Sequence, residues 1–130
     1  MIVVDSSVWI SHFYNVPHPE VEALRSIEAA ETILVGELIF LEVSMGAKSE
    51  KNARDLEQSL GQFTSVTMLD RSTVEAAGVN YRQLRALGIT LRSTVDLIIG
   101  TYCIEHGHQL LHRDRDFGHM QQLGLQIYAG

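Results

Sequence analysis

Ile2-Val3-Val4-Asp5-Ser6-Ser7-Val8-Trp9 is the stretch on which the fold turns. Three β-branched residues in a row, with no polar alternation, read as a short strand buried on both faces. Asp5 ends that run, and Val8, Trp9 and Phe13 carry the chain into a helix. An acid thus stands at the carboxyl end of a buried strand. In open α/β sheets that edge is where ligands bind, at the point where strand order reverses.

The same alternation continues along the chain. Pro17 and Pro19 separate the first helix from a second one bearing Val21, Leu24 and Ile27. Thr32 to Val35 reads as the second strand, and Glu37 to Met45 as a helix with Gly46 as its C-cap. Ala53, Leu56 and Leu60 mark another helix, stopped by Gly61, and Ser65 to Leu69 a third strand. Val74, Ala77, Tyr81 and Leu84 keep helical spacing up to Gly88. Val95 to Glu105 forms the next helix, and Gln109 to Leu111 the next strand. A short helix after Asp116 and a strand near Leu125 to Tyr128 finish the pattern. Strands alternating with helices predict an α/β sandwich around a mostly parallel sheet.

Size and composition agree with that reading. The 130 residues suit a single domain, 1–130, and 45% of them are hydrophobic, enough for a continuous core and too many for disorder. Cys103 is the one cysteine and can form no internal disulfide. No apolar run approaches the roughly 18 residues of a membrane span. The opening residues have no basic flank or cleavage-site pattern, so a soluble, cytoplasmic protein is expected. The formal charge of −6 argues against an anionic partner, unless the acids gather around divalent cations that reverse the local field.

Four acids stand out by position. Asp114 lies three residues beyond the strand Gln109 to Leu111, as Asp5 follows the first strand. Each has a local explanation as well, since Asp5 is a good N-cap for the helix after it. Glu42 stands among Leu38, Ile39, Leu41, Val43 and Met45, so its side chain is expected to point inward. There an unpaired charge is costly, and either a metal ion or a partner such as Arg25 or Arg92 would offset it. Asp96 opens an apolar helix, and Ser93 and Asp96 have the spacing of a capping box. Hard divalent cations prefer oxygen ligands, whereas several facing carboxylates without metal would repel one another.

Read together, these segments resemble the PIN domain, in the form of the VapC toxins of bacterial toxin–antitoxin pairs. The resemblance rests on Ile2-Val3-Val4-Asp5-Ser6-Ser7-Val8, on Glu42 within its apolar helix, on Thr94-Val95-Asp96-Leu97-Ile98-Ile99-Gly100 and on Arg113-Asp114-Arg115-Asp116-Phe117. It spans essentially the whole chain. It implies a PIN-like three-layer sandwich with a five-stranded sheet between helices. It also implies catalysis through Mg²⁺ or Mn²⁺ held by Asp5, Glu42, Asp96 and Asp114. In similar proteins either acid of an Asp-x-Asp-Phe tail approaches the metal, so Asp114 is expected first and Asp116 second. Ser7 is expected to orient Asp5 through its hydroxyl. Where many relatives carry Thr or Ser, this chain has His112.

The implied reaction is endonucleolytic cleavage of RNA by a metal-activated water, leaving a 5′-phosphate and a 3′-hydroxyl. Arg92, Arg113 and Arg115 are candidates for phosphate contacts, with solvated surface charge as the alternative. The implied partners are a VapB-like antitoxin and a second copy of the chain. Two other functions stay in view. An inert PIN-like module would bind RNA or protein without cutting, although a scaffold has no need of clustered acids. An Asp-based phosphotransfer domain is disfavoured because Ser6 and Ser7 follow Asp5 where such domains need further acids. His106, His108 and His112 match no zinc-site spacing, and Cys103 reads as core rather than nucleophile. Trp9 and Phe13 share a helical face and are expected to pack.

Overall fold

A computed structural model describes residues 1–130. Its five strands are β1 (Ile2–Val4), β2 (Ile33–Gly36), β3 (Thr64–Val66), β4 (Gln109–Leu111) and β5 (Gln126–Ile127). They form one sheet in the order β3-β2-β1-β4-β5. Every pairing is parallel, with Ile2 opposite Ile33 on one side and Gln109 on the other. Seven helices connect them: α1 (Ser6–Phe13), α2 (Pro19–Arg25), α3 (Glu37–Met45), α4 (Glu50–Leu60), α5 (Arg71–Ala86), α6 (Thr94–His106) and α7 (Arg115–His119).

The layering follows from the strand order. Right-handed crossovers that step from β1 to β2 to β3 carry α1 to α4 over one face. The connections to β4 and β5 step the other way and carry α5 to α7 over the opposite face. The helix contacts agree, since α1 packs on α2 and α3, α3 on α4, α5 on α6, and α6 on α7. The expected sandwich is therefore present, with a sheet that is parallel throughout. Covering on both sides explains the near-continuous apolar strands, and Val3, Val4, Ile33, Leu34, Val35, Leu110 and Leu111 are all buried. The edges are polar, with Thr64, Ser65 and Gln126 exposed. Strand order reverses between β1 and β4, so the ligand-binding edge lies just beyond Val4 and Leu111.

Element boundaries shift where side chains claim the backbone. Thr32 belongs to a 3₁₀ turn, Ala30–Thr32, and both its N–H and its hydroxyl donate to the Ala29 carbonyl, so β2 starts at Ile33. The third strand was expected to run to Leu69 but ends at Val66. The Glu37 carboxylate accepts from the N–H groups of Met68 (2.6 Å) and Leu69 (3.4 Å) and draws that segment out of the ladder. The last helix begins at Arg115 rather than after Asp116, because Asp114 caps it. The strand expected near Leu125 to Tyr128 contracts to Gln126–Ile127.

Candidate active site

Asp5 leaves β1 at the switch point, and its N–H donates to the Leu111 carbonyl (2.9 Å), which ties it to the end of β4. The capping reading of Asp5 holds for one oxygen. Oδ2 accepts from the Ser7 N–H at 3.4 Å and the Ser7 hydroxyl at 2.7 Å, so Ser7 does contact the carboxylate it was expected to orient. Oδ1 is buried and has no hydrogen-bond partner. Burial raises the Asp5 pKa, with the hydrogen bonds from Ser7 and Ser6 opposing the rise. A buried, unpartnered carboxylate oxygen is costly unless something else satisfies it.

Glu42 projects from the middle of α3 and is half-buried. The Ser6 hydroxyl donates to its Oε1 at 2.9 Å. Neither arginine considered as its partner pairs with it. Arg25 bonds His12 and Asn15, and Arg92 pairs with Asp116. Desolvation raises the Glu42 pKa, and the nearby Asp5 raises it further. The apolar run around Glu42 is less buried than its composition suggests, since Leu41 and Met45 are exposed.

Asp96 sits at the third position of α6. Ser93 accepts from its N–H at 3.1 Å, forming the first half of the capping box. The Ser93 N–H does not donate back to the Asp96 carboxylate, which faces the other acids instead. Its pKa is pushed up from 3.8 to about 7 by desolvation first, then by the charges of Asp5, Asp114 and Glu42. One carboxylate oxygen from each of Asp5, Glu42 and Asp96 lies within 4.8 Å of the other two.

Asp114 lines the same depression from the β4 side, where its Oδ1 caps α7 by accepting from the Asp116 N–H at 2.9 Å. The cavity measures about 570 Å³ and has no hydrophobic residue in its lining. Four acids, Asp5, Glu42, Asp96 and Asp114, share it with Ser6, Ser7 and Ser93 and with Arg92, Arg113 and Arg115. Arg113 lies 3.7 Å from Glu20, and Arg115 is exposed without an ion pair. Asp116 stands apart from the other four acids. It is buried outside the lining, and its Oδ2 receives the N–H and Nε of Arg92, each at 3.4 Å.

This arrangement fits a small divalent cation. Three convergent carboxylates repel when ionised, lack any cationic partner, and include a buried oxygen with an unused lone pair. A hard cation would satisfy all three conditions at once. Ser6 went unremarked as a contributor at the level of sequence. The available signal was a second hydroxyl directly after the strand-end acid, in the first turn of a helix that faces α3.

The remaining candidates lie in structural surroundings. The His112 ring packs on Phe117 at 5.0 Å, its Nδ1 buried without a partner, and burial lowers its pKa. His106 and His108 stack 5.8 Å apart beside Tyr102, at the other end of α6. Cys103 is fully buried and its thiol is pushed up to about 12, so it stays protonated and inert. Trp9 and Phe13 stack at 5.7 Å, as their shared face implied.

Comparison with known proteins places the chain as a whole. The sequence matches the PIN domain family over residues 2–123. It is 35% identical over 120 residues to VapC ribonuclease Mb1587 of Mycobacterium bovis, covering 90% of this chain and 89% of the relative. The figures are the same for ribonuclease VapC11 of Mycobacterium tuberculosis. Among solved structures, VapBC2 from Rickettsia felis, bound to a DNA fragment from its promoter, superposes with a TM-score of 0.79 at 17% identity over 98% of both chains. FitAcB from Neisseria gonorrhoeae gives 0.75 at 18% identity, over 98% of this chain and 96% of the other. At those identities the structures establish the fold.

Proposed function

The chain belongs to the PIN domain family, among the VapC ribonucleases, and on that premise we propose that it is a metal-dependent endoribonuclease, the toxin of a toxin–antitoxin pair. Residues 1–130 act as one PIN unit. The observation that carries this reading is the convergence of Asp5, Glu42 and Asp96 within 4.8 Å, with no basic side chain ion-paired to any of them.

Asp5, Glu42, Asp96 and Asp114 hold the metal, with Asp114 ahead of Asp116 because only Asp114 lines the depression. All-oxygen coordination favours Mg²⁺ or Mn²⁺. A bound ion of this kind lowers the pKa of water and stabilises charge on phosphate oxygens. The chain's own residues supply the rest. The Ser7 hydroxyl fixes Asp5, and the Ser6 hydroxyl fixes Glu42, so two of the acids are oriented before substrate arrives. The Asp5 N–H bond to Leu111 ties the same acid to the strand that leads into Asp114. Arg92, Arg113 and Arg115 at the rim contact RNA phosphates and position the strand over the acids.

The partners follow the same reading. A VapB-like antitoxin covers the acidic depression with a segment that offers a basic residue, and the chain works as a homodimer. The likeness to VapC ribonucleases at 35% identity supports a partner of the VapB kind, as does the naming of the structural neighbours as VapBC complexes. The covering segment and the homodimer follow from the family resemblance. No helix is long and apolar enough to cross a membrane, and the cytoplasm is the proposed location.

The test is cleavage of RNA by purified protein in Mg²⁺ or Mn²⁺, abolished by EDTA and restored by excess metal, with 5′-phosphate ends on the products. Cleavage that persists in EDTA, or products with 2′,3′-cyclic ends, would refute a metal-dependent mechanism. Coexpression with the neighbouring operon gene should yield a stable complex in which cleavage is suppressed.

A further inference from the structure

Four carboxylates with no cationic partner should draw in an arginine from their rim, and Arg92 lines the cavity they line. Yet Arg92 does not pair with any of them. Its Nε and its backbone N–H both point to one oxygen of Asp116, each at 3.4 Å. The Arg92 side chain is 76% exposed, whereas that of Asp116 is only 10% exposed. The two terminal guanidinium nitrogens carry no hydrogen bond to the protein.

We propose that Asp116 is a positioning residue that holds Arg92 back from the metal-binding acids and presents its guanidinium to the RNA backbone. The proposal rests on the nuclease reading above and assigns Asp116 a part other than metal ligand.

Three observations support it. Asp116 is itself held firmly, because its N–H donates to Asp114 and the adjoining Phe117 is fully buried in the core. Arg92 directly precedes Ser93, the cap of α6, so the bond from its backbone N–H to Asp116 also ties α7 to the turn that delivers Asp96. An arginine gripped at Nε keeps the planar edge formed by its terminal nitrogens free, and that edge matches two phosphate oxygens. Without Asp116, the same guanidinium would fall towards Asp96 and Asp114 and compete with the cation.

Competition gives a signature that neither ligation nor packing can produce. Mn²⁺ binding is measured by calorimetry on the full chain for the wild type, Asp116→Ala, Arg92→Ala and the double variant, alongside KM for RNA. Asp116→Ala should weaken Mn²⁺ binding about tenfold, the lower end of what loss of a supporting group costs. Adding Arg92→Ala should restore it to within about threefold of wild type, because the competitor is gone. Arg92→Ala alone should leave Mn²⁺ affinity near wild type and raise KM with little change in kcat. Should Asp116→Ala fail to fold, Asp116→Asn keeps the shape but removes the charge that holds the Arg92 guanidinium, and the same rescue is read in that background. A double variant as weak in Mn²⁺ as the single one would overturn the proposal and return Asp116 to the ligand set or to packing. Wild-type protein that binds no Mn²⁺ would instead remove the nuclease reading, and this inference with it.

Discussion

Helix α6 carries titratable side chains at both of its ends, and the two ends differ in kind. At its start, Asp96 meets Asp5 and Glu42 in a lining without a single apolar residue. At its finish, Tyr102, His106 and His108 pack against one another with ring centroids 4.3 to 5.9 Å apart. Imidazoles can shed their charge and pack as rings. Carboxylates crowded together can relieve their repulsion only by taking up protons or a cation. A functional site is therefore marked less by the number of titratable groups than by charge held together against its own repulsion.

The strongest way to break this contrast is to neutralise the first end. Asp96→Asn or Asp5→Asn should lower RNA cleavage by more than about a hundredfold, beyond the range for groups that merely orient a ligand. Metal-free folding should survive, because each change removes a repelling charge. Full activity in either variant, measured on a defined RNA, would remove that acid from the site. Ser7→Ala should have a smaller effect, lowering cleavage about tenfold with weaker metal binding, since it frees Asp5 to turn. If Ser7→Ala matched wild type in both measurements, the cap alone would be holding Asp5 in place.

Stability against pH sharpens the comparison, because the two ends should respond with opposite sign. Asp96 has its pKa raised from 3.8 to about 7 in the metal-free chain. Within that window the folded chain keeps a proton that the unfolded chain has released, so this end loses stability as pH rises and levels off above about 7. His108 has its pKa lowered below 6.5, by burial first and then by the terminal amine and His106. Its contribution is present above 6.5 and is lost as the pH falls, because the unfolded chain takes the proton first. In EDTA, the gain in melting temperature from Asp96→Asn should widen as pH rises, and that from His108→Gln should widen as pH falls. His12 and His112, whose pKa values are also lowered, are common to each pair and cancel in the difference. A pH-independent gap for Asp96→Asn would mean that its carboxyl is not raised. The smallest effect belongs to the far end, where His106→Ala with His108→Ala should leave cleavage within about twofold of wild type, as expected for surface changes away from the chemistry.

Much of this architecture was legible in the residues. Buried parallel strands carry their own signature in Ile2-Val3-Val4 and in Leu110-Leu111, and an acid placed just beyond such a strand lies at the ligand-binding edge by topology alone. Glu42 was legible as an anomaly, an acid in an apolar helix. Other features depended on contacts that no local pattern encodes. Leu41 and Met45 look like core beside Glu42, but the helix turns them to solvent. Asp114 and Asp116 are two residues apart and chemically alike, and only the start of α7 sends one to the cavity and the other to Arg92. The Ser6 bond to Glu42 spans 36 residues and exists only once α1 has packed on α3.

The place of β1 has a consequence for how the protein is made. The strand at the centre of the sheet is built from residues 2–4, yet its neighbours are residues 33–36 on one side and 109–111 on the other. Pairings between such distant segments form slowly. Asp5 is synthesised well before β4, and Asp114 can stand beside it only once β4 has paired with β1. The depression that Asp5 and Asp114 line therefore lacks one of its walls until residues 109–111 have paired with residues 2–4.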